Sequence, residues 1–151
     1  MIEIKRILLA EDDPKDVELT LSALEEHHLA NEVVTVRDGA EALDYLQRRG
    51  PSADRPQGNP AVVLLDLKMP KVDGIEVLRQ MKADPGLKAI PVVVLTSSRE
   101  EKDLKTCYGL GVNSYVVKPV QFADFIEAVK KLGVFWALIN EPPLGSVNRK
   151  A

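Results

Sequence analysis

The stretch AVVLLDLKMPKVDG, residues Ala61–Gly74, decides how the fold of this 151-residue chain is interpreted. Its first five residues are all apolar, and the run ends abruptly at Asp66. A continuous apolar run of this length is typical of a strand buried on both faces of a parallel sheet, although a buried helix shows the same pattern. A strand here puts Asp66 at its carboxyl end, where open α/β sheets bind their ligands. A single aspartate more often caps a loop, so its role depends on the rest of the chain.

Strand-like and helix-like segments alternate along the rest of the chain. Beside Ala61–Leu65, the sequence predicts strands at Ile4–Ala10, Glu32–Val36, Ile90–Thr96 and Ser114–Val117. Apolar residues at helical spacing predict five helices. The first runs from Pro14 to about His28, and the second follows the Asp38-Gly39 turn and runs to about Arg49. The third follows the Val72-Asp73-Gly74 turn and ends at Asp84-Pro85-Gly86, and the last two cover Arg99–Leu110 and about Gln121–Ile139. This alternation indicates a doubly wound, five-stranded parallel sheet with helices on both faces. We expect the flavodoxin-like strand order 2-1-3-4-5.

Composition and charge restrict the function classes. The chain has 45% hydrophobic and 28% charged residues, which is typical of a globular protein. Its net charge of −3 gives no support for nucleic-acid binding. No apolar run approaches the roughly 18–20 residues that span a bilayer. The N-terminus has no signal-peptide cleavage site, and the single Cys107 cannot form an internal disulfide. We therefore expect a cytoplasmic protein that binds neither nucleic acid nor membrane.

One domain is expected over residues 1–140, with a flexible tail over residues 141–151 and no output domain. Gly50–Pro60 contains three prolines and two glycines and shows no hydrophobic periodicity. It predicts an exposed loop rather than a domain boundary, because a buried strand follows it directly. Solvated filler is the simpler role for this loop, and contact with a partner is the alternative.

The predicted strand order brings reactive side chains to one edge of the sheet. The first and third strands are neighbours, so Glu11 and Asp12 lie beside Asp66, while Thr96 and Lys118 end the fourth and fifth strands. Clustered carboxylates repel one another unless a cation binds, and Mg2+ prefers oxygen ligands. A carboxylate can also attack phosphorus, with a metal ion and an ammonium group neutralising the phosphoryl charge. The sequence therefore predicts a magnesium-dependent aspartyl-phosphate site.

Four segments of the chain occur together, namely LLAEDDP at 8–14, LLDLKMPKVDG at 64–74, VVVLTSS at 92–98 and YVVKP at 115–119. In this order and spacing they resemble the receiver domains of two-component response regulators, the family of the bacterial chemotaxis receiver. The resemblance runs from about Lys5 to Leu138. It implies a switch that accepts a phosphoryl group from a histidine kinase and signals through altered protein contacts. The only catalytic activity implied for such a switch is at most a slow removal of its own phosphoryl group.

The resemblance also implies a role for each residue of the site. Asp66 is expected to be the phosphoacceptor, and Thr96 and Lys118 are expected to contact the phosphoryl group. Three carboxylates are implied as Mg2+ ligands, namely those of Asp12 (directly), Glu11 (through water) and Asp66. The fourth implied ligand is the backbone carbonyl of Lys68.

The output of such a switch is implied to leave through an aromatic residue. Tyr115 is expected to follow Thr96 and to repack the face formed by the fourth helix, fifth strand and fifth helix, where a homodimer can form. An inert aromatic at a strand edge is the alternative for Tyr115.

The Gly50–Pro60 loop and the long last helix narrow the resemblance to regulators paired with bacterial phytochrome histidine kinases. Phe135 and Trp136 in that helix are either core residues or an exposed anchor for a homodimer or kinase.

Two other function classes fit the same fold. An enzyme of the phosphatase type with an aspartyl-phosphate intermediate needs a second aspartate two residues after the nucleophile, where this chain has Lys68. A flavodoxin-like FMN carrier needs a phosphate-binding loop rich in Ser, Thr and Gly after the first strand. The run Glu11-Asp12-Asp13 stands there instead and would repel a phosphate. The sequence therefore favours a phosphorylated switch over an enzyme or a flavin carrier.

Overall fold

The structure, a computed structural model, describes residues 6–26, 32–55, 58–97, 100–118 and Ala123. The secondary-structure elements in chain order are β1 (Arg6–Ala10), α1 (Pro14–Glu26), β2 (Glu32–Val36), α2 (Gly39–Gln47), a 3-10 turn (Gly50–Ser52), β3 (Val62–Leu65), α3 (Gly74–Ala83), β4 (Val92–Thr96), α4 (Glu101–Gly109) and β5 (Ser114–Val117). All strand pairs are parallel, in the order β2-β1-β3-β4-β5. The predicted topology is therefore confirmed. Among these residues, no helix has the length and hydrophobicity needed to cross a membrane.

β3 lies at the centre of the sheet, and all four of its residues are fully buried. Val63 and Leu65 pack on one face in a cluster with residues of α2, α3 and α4. Val62 and Leu64 pack on the opposite face with Leu24 of α1. Because both faces are covered, the strand has no polar position, which explains the continuous apolar run in the sequence. The helices on both faces confirm the doubly wound arrangement.

Some predicted boundaries differ from the observed ones for local backbone reasons. β4 begins at Val92 rather than Ile90, since Pro91 has no N–H to donate to the strand ladder. α2 ends at Gln47 because Arg48 adopts a left-handed backbone with φ of 58°. Parts of the prediction lie outside the described residues, namely the ends placed at Ile4, His28 and Arg99, nearly all of the helix over Gln121–Ile139, and the tail over residues 141–151.

The loop predicted over Gly50–Pro60 is anchored to α2. The Arg55 guanidinium lies 4.4 Å from the centre of the Tyr45 ring, and its Nε donates to the Tyr45 carbonyl oxygen at 2.6 Å. Nη1 of Arg55 donates to the Gly58 carbonyl at 2.8 Å, and Nη2 of Arg48 donates to the Arg55 carbonyl at 3.0 Å. The described part of the loop is therefore fixed against the helix rather than merely solvated.

Candidate functional site

The loop between β3 and α3, which carries Asp66, packs tightly against the first residues of two helices. A β-carbon on Gly74, the first residue of α3, would lie 2.7 Å from Cα of Leu67 and closer still to the Asp66 carbonyl oxygen. A β-carbon on Gly39, the first residue of α2, would lie 2.7 Å from Cβ of Val72 and closer still to the Val72 carbonyl oxygen. Only glycine allows the two helices to approach the loop this closely.

Aspartate caps fix both of these helix starts. Asp38 accepts a hydrogen bond from the backbone N–H of Glu41 at 2.8 Å, and Asp73 accepts one from Glu76 at 2.9 Å. Each cap satisfies a helix N–H that would otherwise lack a partner. Lys71 in the loop, whose φ is 68°, places its Nζ 3.6 Å from the second carboxylate oxygen of Asp38. The loop that carries Asp66 is therefore held between two capped helices.

Three carboxylates form an acidic cluster at the carboxyl edge of the sheet. One oxygen from each of Glu11, Asp12 and Asp66 lies within 4.8 Å of the others. Glu11 and Asp66 are 3% and 7% exposed, whereas Asp12 is exposed to solvent. The backbone N–H of Asp66 donates to the Ala10 carbonyl at 3.0 Å, which holds the ends of β1 and β3 side by side. This set of oxygen donors fits a divalent cation such as Mg2+.

Lys118 places its ammonium group among these carboxylates. Its Nζ donates to Glu11 Oε1 at 2.5 Å, to Asp16 Oδ2 at 2.8 Å and to Asp66 Oδ2 at 3.3 Å. An ammonium has three N–H donors, so each of the three carboxylates can take one. The backbone N–H of Lys118 donates to the Thr96 carbonyl at 2.8 Å, which ties the end of β5 to the end of β4. The Lys118 ammonium and the Asp66 carboxylate therefore meet as predicted.

Burial and neighbouring charge have opposite effects on the pKa of Lys118, and burial and the Lys118 hydrogen bond have opposite effects on the pKa of Glu11. Burial raises the pKa of Glu11 to about 7, with the charge of Asp66 adding to the effect and the hydrogen bond from Lys118 opposing it. Burial alone would lower the pKa of Lys118, but the hydrogen bonds to Asp16 and Glu11 and the charge of Asp66 raise it above its ordinary value. Lys118 is therefore charged at neutral pH. Its single charge does not fully compensate the carboxylates, so the site favours a second cation.

The other predicted site residues occupy the expected strands. Thr96 is the last residue of β4 and is fully buried next to β3. Tyr115 lies in β5, is half-buried and packs against the cluster that contains α2, α3 and α4. Lys68 is exposed, and its backbone nitrogen lies 3.4 Å from Oδ1 of Asp66. The predicted interface residues Phe135 and Trp136 lie outside the described residues.

Asp16 joins the site although the sequence pattern did not single it out. It lies in the first turn of α1, where an acidic residue reads as part of the polar face of an amphipathic helix. Asp13 caps this helix as the sequence predicts, since its Oδ1 accepts from the backbone N–H of Lys15 at 2.8 Å. The position of Asp16 in the chain could have indicated this contact. α1 begins directly after the acidic run, so its first turn stays near the sheet edge.

One protein family and several curated proteins resemble this chain over most of its length. The model of the response regulator receiver domain matches residues 7–130. The probable methanogenesis regulatory protein FilR2 of Methanothrix harundinacea is 42% identical over 137 residues, which cover 91% of this chain and 86% of FilR2. Response regulator Rcp1 of Synechocystis sp. is 41% identical over 132 residues, which cover 87% of this chain and 88% of Rcp1.

Solved structures share both the fold and much of the sequence. The bacteriophytochrome response regulator RtBRR has a TM-score of 0.84 and 59% identity, covering 97% of this chain and 89% of RtBRR. The phosphorylated cyanobacterial phytochrome response regulator RcpA has a TM-score of 0.76 and 42% identity, with 95% and 100% covered. The Mn2+-bound form of Rcp1 has a TM-score of 0.74 and 39% identity, with 97% and 99% covered. These matches confirm the predicted family, and the chain therefore belongs to the response regulator receiver domain family, which implies a switch controlled by phosphorylation of an aspartate.

Proposed function

We propose that Asp66 is the residue that accepts the phosphoryl group. The observation that carries this proposal is the position of its carboxylate, buried at the end of the central strand between the acidic pair and the Lys118 ammonium. A carboxylate oxygen of Asp66 attacks phosphorus, and the bond from phosphorus to the donor breaks. With a phosphohistidine donor the imidazole nitrogen leaves with the electron pair, so one phosphoryl group moves and no oxidant is needed.

Mg2+ is the cofactor that we assign to Glu11, Asp12 and Asp66, with the backbone carbonyl of Lys68 as a fourth protein ligand. When bound, the ion neutralises charge on the phosphoryl oxygens and on the carboxylates around them. The spacing of the three carboxylates supports this assignment, because one oxygen of each lies within 4.8 Å of the others. The relative Rcp1 has been solved in an Mn2+-bound form, which supports a divalent cation as the cofactor.

Lys118 and Thr96 hold the transferred group and relay its presence. The Lys118 ammonium, 3.3 Å from Oδ2 of Asp66, donates to a phosphoryl oxygen. The Thr96 hydroxyl moves toward another phosphoryl oxygen and makes room for Tyr115 to turn inward. Thr96 and Tyr115 stand on the adjacent strands β4 and β5, so the relay crosses one strand spacing. This is a local charge event that biases a surface with two packing arrangements.

The output surface in this proposal is the face of α4, β5 and the helix that follows, used by a partner or for a homodimer. Leu104 and Tyr108 support it, since these large side chains lie four positions apart on α4 and are 38% and 51% exposed. Phe135 and Trp136 belong to the same proposal as an aromatic anchor.

The partner that we propose is a sensor histidine kinase of the phytochrome class, which this protein meets in the cytoplasm. RtBRR and RcpA, both named as phytochrome response regulators, support this choice. The matches cover 88% of Rcp1 and 100% of RcpA, which supports a receiver domain over residues 1–140 of this chain. Transfer from a purified phytochrome kinase, measured against a kinase of another class, tests the pairing. Faster transfer from the other kinase would contradict it.

Slow self-dephosphorylation belongs to the same proposal. Lys68, two positions after the acceptor, offers an ammonium rather than a carboxylate that could activate a water molecule. The same residue disfavours the phosphatase-type alternative, which needs a general acid at this position.

Incubation with acetyl phosphate and Mg2+ tests the acceptor assignment. Intact-mass spectrometry should show one added phosphoryl group on the wild-type chain and none on Asp66→Asn. Asp54→Asn is a matched control, because Asp54 is an exposed loop aspartate, and it should label like the wild type. A metal chelator should abolish labelling. Labelling of Asp66→Asn at the wild-type rate would refute the proposal.

Thr96→Ala tests the relay separately from the chemistry. The variant should still accept the phosphoryl group, because Asp66, the acidic pair and Lys118 are intact. It should no longer change oligomeric state or kinase affinity on phosphorylation, as measured by size-exclusion chromatography with light scattering and by titration. Phosphorylation-dependent association that persists in this variant would count against the relay.

A further inference from the structure

We propose that Asp16 is a positioning residue that competes with the phosphoacceptor for Lys118 and thereby restrains phosphorylation. This inference deepens the proposed function and rests on Asp66 as the acceptor and Lys118 as a phosphoryl contact. Its basis is one ammonium group shared among three carboxylates. The Lys118 Nζ is 2.8 Å from Asp16 and 3.3 Å from Asp66. The ammonium therefore lies nearer to the helix carboxylate than to the acceptor.

All three N–H donors of Lys118 are matched by carboxylates in this arrangement. Oxygens of Glu11, Asp16 and Asp66 each lie within hydrogen-bond distance of Nζ. A phosphoryl oxygen on Asp66 needs one of these donors, so the ammonium has to give up or weaken an existing contact. A cation at the acidic cluster competes with Lys118 for Glu11. Asp16, which is not in that cluster, then remains as the carboxylate that draws the ammonium away from the acceptor.

The position of Asp16 is set by the cap of its helix. Oδ1 of Asp13 accepts from the backbone N–H groups of Lys15 and Asp16, at 2.8 Å and 3.4 Å, and this orders the first turn of α1. The Asp16 side chain is 32% exposed and that of Lys118 only 13%. A pair that is partly withdrawn from water is screened less than a surface salt bridge, so the contact is strong enough to compete.

Asp16 also acts through its charge. Acetyl phosphate and a phosphohistidine both bring negative charge to the site, and the Asp16 carboxylate adds to the negative potential that they meet. Loss of this carboxylate therefore helps phosphorylation in two ways of the same sign. It frees a donor of Lys118 and lowers the repulsion of the incoming group.

The variant Asp16→Asn tests the inference with little change in shape. Its initial rate of labelling by sub-saturating acetyl phosphate should rise by about 3- to 10-fold, the range for one ordinary hydrogen bond, because the amide oxygen of asparagine still accepts from Lys118, only more weakly. The rise should come mainly from a lower half-saturating acetyl phosphate concentration. Glu18→Gln is the control, since Glu18 is exposed on the same helix and loses the same charge. Asp16→Glu, which keeps the carboxylate, should stay near the wild-type rate.

A second measurement follows the contact without any phosphorylation. The side-chain ammonium signal of Lys118 in 15N-lysine-labelled protein, identified by its loss in Lys118→Arg, should shift in Asp16→Asn and not in Glu18→Gln. An unshifted signal, or a labelling rate in Asp16→Asn no higher than in Glu18→Gln, would overturn the inference. Labelling that persists in Asp66→Asn would instead refute the proposed function, so the two failures are distinguishable.

Discussion

Replacement of Gly74 by alanine should displace the loop that carries Asp66. The added β-carbon would lie 2.7 Å from Cα of Leu67 and closer to the Asp66 carbonyl oxygen, whereas carbon atoms pack at about 3.5–4.0 Å. Both obstructing groups are backbone, so no side-chain rotation relieves the overlap. The loop and α3 must separate by about 1 Å. This movement also weakens the hydrogen bond from the Gly74 N–H to the Leu67 carbonyl, which is 2.7 Å long.

The expected cost follows from three opposing contributions to the free energy of unfolding. Overpacking costs about 1–3 kcal/mol, and the weakened hydrogen bond adds about 1 kcal/mol. The better helix propensity of alanine returns about 0.5–1 kcal/mol. We therefore expect Gly74→Ala to lose about 2 kcal/mol, the balance of these contributions. Labelling by acetyl phosphate should slow by at least about tenfold, because a misplacement of 1 Å can cost about a hundredfold in rate.

Urea denaturation and the initial labelling rate measure the two effects. Gly109→Ala is the matched control, because Gly109 ends α4 and a β-carbon there would meet no atom within 4 Å. This control should be unchanged or up to about 1 kcal/mol more stable, and it should label at the wild-type rate. Equal stability and equal labelling of Gly74→Ala and Gly109→Ala would refute the predicted overlap.

Three further predictions concern the frame around the site. Asp38→Ala removes the cap of α2 and should lower the free energy of unfolding by about 1 kcal/mol, measured in urea; an unchanged midpoint would show that the cap is dispensable. Arg55→Ala should lose about 1–2 kcal/mol with the Tyr45 contacts, whereas Arg49→Ala, an exposed ion pair, should lose less than about 0.5 kcal/mol; equal losses would contradict the anchoring of the loop. Burial raises the pKa of Cys107 from 9.0 to about 11, so the native thiol should react with Ellman's reagent at pH 8 at least about a hundredfold more slowly than the denatured chain. Its rate should rise about tenfold per pH unit toward pH 11, because only the thiolate reacts; a rate that levels off near pH 9 would contradict the raised value.

The central strand and the carboxylate at its end were predictable because each depends on a local pattern. A strand buried on both faces has no polar position, so Ala61–Leu65 reads as one apolar run that ends at a carboxylate. The strand order was expected by analogy with flavodoxin-like sheets, and it brings Glu11 and Lys118 to the same edge. Neither step requires knowledge of where a side chain points.

The contacts that the sequence did not reveal join residues through side-chain direction and close packing. Asp16 meets Lys118 across 102 positions of the chain, and nothing in the helix pattern shows which charged residue turns toward the sheet edge. Arg55 and Tyr45 meet in the same way, so the loop looked solvated although a guanidinium stacks on a ring. The close approach of Gly39 to Val72 is visible only once both backbones are placed.

β3 and β5 differ in the number of neighbouring strands to which they are hydrogen-bonded. β3 is clamped by β1 and β4, while among the described strands β5 is bonded to β4 alone. Within this part of the sheet, β3 is therefore held by two hydrogen-bonded ladders and β5 by one. Amide hydrogen exchange should accordingly be faster in β5, which carries Tyr115, than in β3.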